Sequence, residues 1–458
     1  MAHLYISATQ KSSGKTTLSI GLCRAWRDLG VRVQPFKKGP DYIDPLWLGE
    51  AAGRPCFNLD FHTMAPEEIA LSFARELGGA DLGLIEGNVG LFDSLDPRGS
   101  NSNAELAKQL DAPVILVLNC HGLGRGIAPL LLGYRAFDPD VRIAGVILNK
   151  VGGARHASNL RRFVEHDTDL PVLGVLERDP EMAIAERHLG LMPSNEADGA
   201  EAWIERIRAR VATQVDLAGL LTIAESAPRP EPQSRVSRPT SSGALVRVGI
   251  ARDAAFGFYY PDDLRALADG GAELVPFSPV ADPELPDVDA LFIGGGFPEY
   301  RMAELEANRL MREHVADFIA RGGPVYAECG GLMYLCKGLN WRGERRAMVG
   351  ALDAEVELRE RPQGRGYVRL RETADFPWER STRPGGEIPA HEFHHSAILD
   401  PDPRWRYAYE VLRGTGVDGT HDGIIQGRVL ACYSHLRDVG GCAWTSRFLD
   451  HVRHRLGA

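Results

Sequence analysis

A chain of 458 residues is too long for one compact core, so two or three domains are expected. Its composition, 44% hydrophobic and 25% charged, is that of a globular protein, and a net charge of −10 argues against nucleic acid as the main partner. Seven scattered cysteines without a C-x-x-C pair fit reduced thiols, and there is neither a signal-like leader nor an apolar run near the roughly 18 residues of a membrane span, so the sequence reads as soluble and cytoplasmic, with no membrane partner.

Short apolar runs alternate with amphipathic stretches through the first half. Strands are expected at His3–Ser7, Val31–Phe36, Leu82–Glu86, Val114–Leu118, Ile143–Leu148 and Val172–Leu176, with helices such as Lys15–Leu29 and Asn103–Leu110 between them. That alternation predicts a mostly parallel, doubly wound α/β sheet. The stretch "SAPRPEPQSRVSRPTSSG", Ser226–Gly243, has no periodicity and reads as a linker between domains 1–225 and 244–458. Beyond it, strands are expected at Val246–Ala251, Glu273–Phe277, Ala290–Ile293 and Pro324–Ala327, then shorter pieces around Gly366–Leu370, Ile388–Phe393 and Val429–Tyr433. The whole predicts two α/β domains in tandem.

Between the first strand and the first helix lies "SATQKSSGKTT", Ser7–Thr17. A strand, Gly-Lys-Thr and a helix form the context for phosphate binding, because free N–H groups and the helix dipole favour an anion. Ser12, Ser13, Gly14, Lys15, Thr16 and Thr17 are therefore candidate nucleotide ligands, Lys15 reaching the β/γ-phosphates and the Thr16 hydroxyl holding Mg²⁺. The plainer alternative is a polar turn in which Thr16 and Thr17 cap the helix. The usual pattern has glycine where Thr9 stands, which is tolerable if neither Thr9 nor Ser12 needs a positive φ.

Ligands in open α/β sheets sit at the carboxyl ends of strands. There the second strand delivers "FKKGPDYIDP", with Lys37, Asp41 and Asp44, and the third delivers "LIEGNVGLFD", with Glu86 and Asp93. Gly, Pro and Asp also suit a solvated turn, but lysines beside carboxylates suit a site holding phosphate and Mg²⁺, with Thr16, Asp41 and Glu86 as candidate metal ligands. Together these residues predict a phosphoryl-transfer centre.

A second chemistry is written in "GPVYAECGGLMYLC", Gly323–Cys336, where an apolar strand runs through Glu328 into Cys329-Gly330-Gly331 and a helix. That pattern predicts a nucleophile elbow with Cys329 at its apex, against the commoner fate of a buried structural thiol. Gly330, and Gly295 and Gly296 of "FIGGGFPE", are candidate oxyanion donors. His435 in "CYSHLR" is a candidate base, in competition with His391, His394 and His395 of "HEFHHS".

Taken in order, "SSGKTT", "KKGPDYIDP", "LIEGNVGLFD", "IGGGFPE", "ECGGLMYL" and "HEFHHS" resemble the cobyrinic acid a,c-diamide synthase family over nearly the whole chain. The resemblance implies a dethiobiotin-synthetase-like P-loop domain followed by a flavodoxin-like class I glutamine amidotransferase domain. It implies amidation of two acetate carboxylates of a tetrapyrrole acid, with L-glutamine as nitrogen source, ATP and Mg²⁺, and a homodimer as a candidate assembly. Asp41, Asp44, Glu86 and Asp93 then match the ligase centre, Lys37 a phosphate-facing lysine, Asn149 a position that can contact adenine, Cys329 the glutaminase nucleophile and His435 its histidine. The chain departs from the family at Ser12 (usually glycine), at Asn119-Cys120 (usually Asp-Ala) and at Arg437 (usually histidine), which leaves the partner of His435 unassigned. A sirohydrochlorin-type acid is the alternative substrate. A partition-type ATPase switch, or a glutaminase domain reduced to sensing its ligand, is the alternative from another class.

Overall fold

The computed structural model describes residues 1–182, 186–187, 190–197, 199–230, 244–379 and 386–457. The chain forms two compact units, Met1–Arg235 and Val236–Ala458. Most of the expected linker, residues 231–243, lies outside the described residues. Its first residues do not behave as linker: Ser226 and Ala227 close the last turn of a helix, and Ala227 is buried.

The first unit contains β1 (Ala2–Ala8), α1 (Lys15–Asp28), β2 (Val33–Lys38), α2 (Ile43–Ala52), β3 (Phe57–Leu59), α3 (Pro66–Leu77) and β4 (Leu82–Glu86). It continues with α4 (Asn103–Gln109), β5 (Val114–Asn119), α5 (Ile127–Phe137), β6 (Ile143–Val151), α6 (Ala154–Thr168), β7 (Val172–Glu177), the short pair β8 (Glu186–Arg187) and β9 (Gly190–Leu191), α7 (Ala200–Gln214) and α8 (Leu217–Glu225). Seven parallel strands form one sheet in the order β3-β2-β4-β1-β5-β6-β7. Leu4, Tyr5 and Ile6 are all fully buried, as a strand covered on both faces requires. The sequence reading missed β3, a three-residue edge strand too short to show periodicity.

The second unit opens with β10 (Val246–Ala251), α9 (Pro261–Asp269), β11 (Ala272–Phe277), β12 (Ala290–Ile293), α10 (Met302–Ala307), α11 (Arg309–Ala320), β13 (Val325–Glu328) and α12 (Gly330–Leu335). It continues with β14 (Cys336–Trp341), β15 (Glu344–Ala347), β16 (Leu352–Leu358), β17 (Gly364–Glu372), β18 (Ile388–His394), β19 (Ser396–Leu399), β20 (Arg406–Arg413), β21 (His421–Gln426), β22 (Val429–Cys432) and α13 (Trp444–Leu456). Its main sheet runs β11-β10-β12-β13-β22-β21-β20-β17-β18. The first five strands are parallel, and each later neighbour is antiparallel. A four-stranded sheet, β15-β14-β16-β19, stands beside it. The plain α/β expectation thus holds for the front half of this unit, while the antiparallel part was largely unseen. Strands such as β15, "ERRA", are charged and half-exposed, and carry no apolar run to betray them. Among the described residues, no helix is long and apolar enough to cross a membrane.

Candidate active site

In the first unit the loop between β1 and α1 borders a cleft of about 980 Å³, whose walls include Ser12–Thr17, Lys37, Asp41, Asp44, Asn149 and Lys150. Gly14 takes φ +88°, and a Cβ there would come within 2.1 Å of Asn149 Nδ2, so only glycine fits. That Asn149 nitrogen donates to the Ser13 carbonyl at 2.8 Å, and Asn149 Oδ1 accepts the Lys150 N–H, so both polar ends of the side chain steady the loop. Thr9 keeps a negative φ, but Ser12 sits in the left-handed region at φ +59°. The expectation that neither needs positive φ therefore fails for Ser12, at an intrinsic cost of roughly 1 kcal/mol. Lys150 braces this turn, its Nζ donating to the Ser12 carbonyl at 2.9 Å.

Thr16 and Thr17 do not cap α1: its N-cap is Gly14, with no side-chain cap. Thr17 lines the cleft, and Thr16 Oγ1 instead meets Glu86 Oε1 at 2.8 Å and Asp44 Oδ2 at 3.2 Å. Parallel pairing of β2 with β4 puts Lys37 directly opposite Glu86. Lys37 Nζ accordingly lies 2.7 Å from Glu86 Oε1, 2.5 Å from Asp44 Oδ2 and 3.7 Å from Asp41 Oδ2. Burial alone would lower the Lys37 pKa, but the charges of Asp44, Glu86 and Asp41 win and raise it. Burial raises Asp41 to about 7, with Asp44's charge adding to it, and burial also raises Glu86. Asp44 goes the other way: its ion pair with Lys37 overcomes burial. One lysine thus faces three carboxyl groups. Nearby, Lys15 Nζ donates to the Val89 carbonyl at 2.6 Å, and burial, helped by Lys37, lowers its pKa to about 8.

Asp93 stands apart from the Lys37 ion pairs, although its charge acts on Lys15. It is exposed, and its Oδ2 accepts the Gly90 N–H at 2.7 Å, holding a tight turn just past β4.

The Mg²⁺ implied by the resemblance fits the donor set. Glu86 Oε2 is buried with no hydrogen-bond partner, and the Thr16 hydroxyl and the Asp41 and Asp44 carboxyls add hard oxygens beside it. Among the described residues no group of three or more His, Cys, Asp or Glu forms a ready metal cage. Mg²⁺ ordinarily completes its shell with phosphate oxygens and water, so a cage is not required.

In the second unit β13 ends on Glu328, and Cys329 turns the chain into α12 at φ +47°, ψ −100°. An L-residue held there stores of order 1–3 kcal/mol of strain, as nucleophile elbows do. Two glycines make the turn possible. A Cβ on Gly331 would come within 2.1 Å of the Ile293 carbonyl oxygen, and one on Gly330 would come within 3.0 Å of the Gly296 backbone. Gly330 and Gly296 therefore lie against each other beside Cys329. Gly295 also keeps space beside the imidazole: its carbonyl accepts the Gly257 and Phe258 N–H groups, and a Cβ there would approach His435 Cε1 to 2.7 Å. Glycine at 295 leaves room for the imidazole.

His435 follows β22, with Nδ1 3.1 Å from Glu328 Oε2, and Cys329 is near enough to act on its charge. Burial would lower its pKa, but those two partners raise it to about 10. The competing histidines are committed elsewhere. His391 Nδ1 lies 3.1 Å from the Tyr260 hydroxyl, with its ring stacked on His435 at 4.9 Å. His394 Nδ1 lies 2.8 Å from the Ser396 carbonyl, and His395 Nδ1 3.1 Å from the Arg359 carbonyl. Arg437 binds Asp262 at 2.5 Å. The carboxylate on His435 is thus Glu328, to which the sequence reading gave no role. Its signal was a carboxylate at a strand end, one residue before the nucleophile.

Comparison with known proteins covers both units. A family model described as a CobB/CobQ-like glutamine amidotransferase domain matches residues 247–438, and one described as an AAA domain matches residues 63–185. The chain is 46% identical to a protein of Magnetococcus marinus named cobyrinate a,c-diamide synthase, over 99% of this chain and 97% of that one. Proteins with the same name from Syntrophotalea carbinolica (41% identical, 98% of each chain) and Methanosarcina acetivorans (42% identical, 95% of this chain and 92% of that one) are similar over nearly their full lengths. Since these likenesses span the phosphate loop and the Cys329 turn alike, the chain belongs to the cobyrinate a,c-diamide synthase family.

Proposed function

We propose that this protein is a glutamine-hydrolysing carbon–nitrogen ligase that amidates the a- and c-acetate carboxylates of cobyrinic acid at the expense of ATP. The observation that carries the reading is the presence in one chain of two reactive centres: Cys329 at the strained turn after Glu328, whose carboxylate holds His435, and Lys37 ringed by Asp41, Asp44 and Glu86 at the foot of a phosphate loop. A partition-type switch has use for the second centre and none for the first.

At the first centre, His435 holds the proton given up by Cys329 and the thiolate attacks the glutamine amide carbon. N–H groups of Gly296 and Gly330, two glycines that lie against each other beside Cys329, receive the oxyanion in this reading. His435 returns the proton to the leaving ammonia, and water then hydrolyses the thioester to glutamate. At the second centre, the loop amides of Ser12–Thr17 and the Lys15 ammonium hold the ATP phosphates. Thr16, Asp41 and Glu86 would hold Mg²⁺, which would neutralise charge on those phosphates when bound. Lys37, the phosphate-facing lysine, holds Asp41, Asp44 and Glu86 together there, and an oxygen of the substrate carboxylate attacks the γ-phosphorus as ADP leaves. Ammonia attacks the resulting acyl phosphate and phosphate departs. Each cycle replaces a carboxylate oxygen by nitrogen.

Mass spectrometry of products formed with glutamine, MgATP and a panel of tetrapyrrole acids tests the reading. Cobyrinic acid should yield its diamide. Amidation of sirohydrochlorin acids alone would transfer the reaction to another substrate, and no amidation of any would refute it.

A further inference from the structure

We infer that Glu328, the residue immediately before the nucleophile, is the positioning residue that fixes the tautomer and orientation of His435 for glutamine hydrolysis; this rests on the proposed glutaminase role of Cys329.

The geometry is specific. Glu328 is 2% exposed. Its Oε1 accepts the Tyr326 hydroxyl at 2.7 Å and the Leu436 N–H at 3.0 Å, which leaves Oε2 for His435 Nδ1 at 3.1 Å. An ionised carboxylate only accepts, so Nδ1 carries a proton, and Nε2 is the position that holds the proton given up by sulfur. The charged and titratable groups around the imidazole agree with this assignment. Cys329 and Glu328 come from the β13–α12 turn, and His391 of β18 stacks on its ring while the Tyr260 hydroxyl engages His391 Nδ1. Downstream of His435, Arg437 binds Asp262 and Asp438 binds the Asp263 carboxyl through its N–H.

The backbone explains how two consecutive residues serve one ring. On a regular strand, neighbouring side chains point to opposite faces. Glu328 keeps strand geometry, but Cys329 leaves it at φ +47°, ψ −100°, which turns its thiol toward the histidine that Glu328 already holds. The elbow strain therefore does more than expose the thiol. It folds nucleophile and orienting carboxylate around a single imidazole.

Glu328→Gln is the informative variant. Its amide oxygen still serves Tyr326 and Leu436, while its NH₂ would face Nδ1 and force the proton onto Nε2. The full chain is assayed for glutamine hydrolysis, for ammonia-dependent amidation as a check on folding, and for the pH dependence of Cys329 alkylation by iodoacetamide. Expected for Glu328→Gln are a glutaminase kcat lower by about 10³-fold, a KM within about twofold, an alkylation profile displaced to higher pH, and ammonia-dependent amidation retained. Glu328→Asp, which restores the charge, should recover about tenfold or more of the lost kcat. A Glu328→Gln enzyme with glutaminase within about threefold of wild type, or with an unmoved alkylation profile, overturns the inference. So does a Glu328→Asp enzyme no better than Glu328→Gln. Glutamine hydrolysis surviving in Cys329→Ala would instead defeat the glutaminase reading on which it rests.

Discussion

Lys37 and Glu86 are register partners on adjacent parallel strands, and their side chains meet at 2.7 Å with Glu86 fully buried. Sheet pairing, rather than a flexible loop, sets this distance, so the centre beside the phosphate loop is rigid before any ligand arrives. Its weakness is charge: Asp41 and Asp44 share the same lysine.

Replacing Lys37 by Met should therefore leave buried carboxylates without a cation. A loss of about 3–5 kcal/mol is expected in chemical unfolding of the first unit, with amidation abolished from either nitrogen source. Unchanged stability together with retained amidation would show that Lys37 is peripheral.

Ser12 offers a test of backbone strain. Ser12→Gly should be neutral or stabilising by up to about 1 kcal/mol, whereas Ser12→Val, β-branched at φ +59°, should cost about 1–2 kcal/mol. Denaturant midpoints of the two variants decide it, and a glycine variant weaker than the valine one contradicts the assignment.

The turn after Cys329 has no room for a methyl group at residue 331, because the Ile293 carbonyl would lie 2.1 Å away. Gly331→Ala should destabilise the second unit by about 2 kcal/mol or more and remove glutamine hydrolysis. Wild-type glutaminase in that variant would mean that the elbow can relax.

The pH dependence of stability follows from His435, whose pKa is raised from 6.5 to about 10 by Cys329 and Glu328 in spite of burial. A cation stabilised by folding contributes fully below its unfolded value and loses that contribution as pH rises through the folded one. Wild-type urea midpoints should thus fall more steeply between pH 6.5 and 10 than those of His435→Gln. Parallel profiles would show that the ring gains nothing from its partners.

Much of this was legible in the chain, for physical reasons that also mark the limit. Thr16, Lys37 and Glu86 could be grouped because each ends or follows an apolar run, and strand ends of a parallel sheet converge on one edge. Asp93 was grouped with them by proximity in sequence, but the turn held at Gly90 takes it to the surface. Gly295 reads as an oxyanion donor, and composition shows no sign that it also keeps space for a ring. Glu328 went unassigned because strand alternation would send it away from Cys329, and only the backbone turn reverses that. β15 was missed because its charged, half-exposed residues carry no apolar run, and β19 because four residues are too few to show a period, whereas β16, LDAEVEL, alternates with period two and was legible.

The central claim is that a carboxylate is activated by phosphorylation at the Lys37 centre and then aminated by nitrogen from the Cys329 centre. The most direct measurement uses cobyrinic acid labelled with heavy oxygen in its acetate carboxylates, with amide-labelled glutamine and MgATP. One labelled oxygen should appear in inorganic phosphate, and one labelled nitrogen in product, for each amide formed. Diamide formed without transfer of oxygen to phosphate would contradict the account.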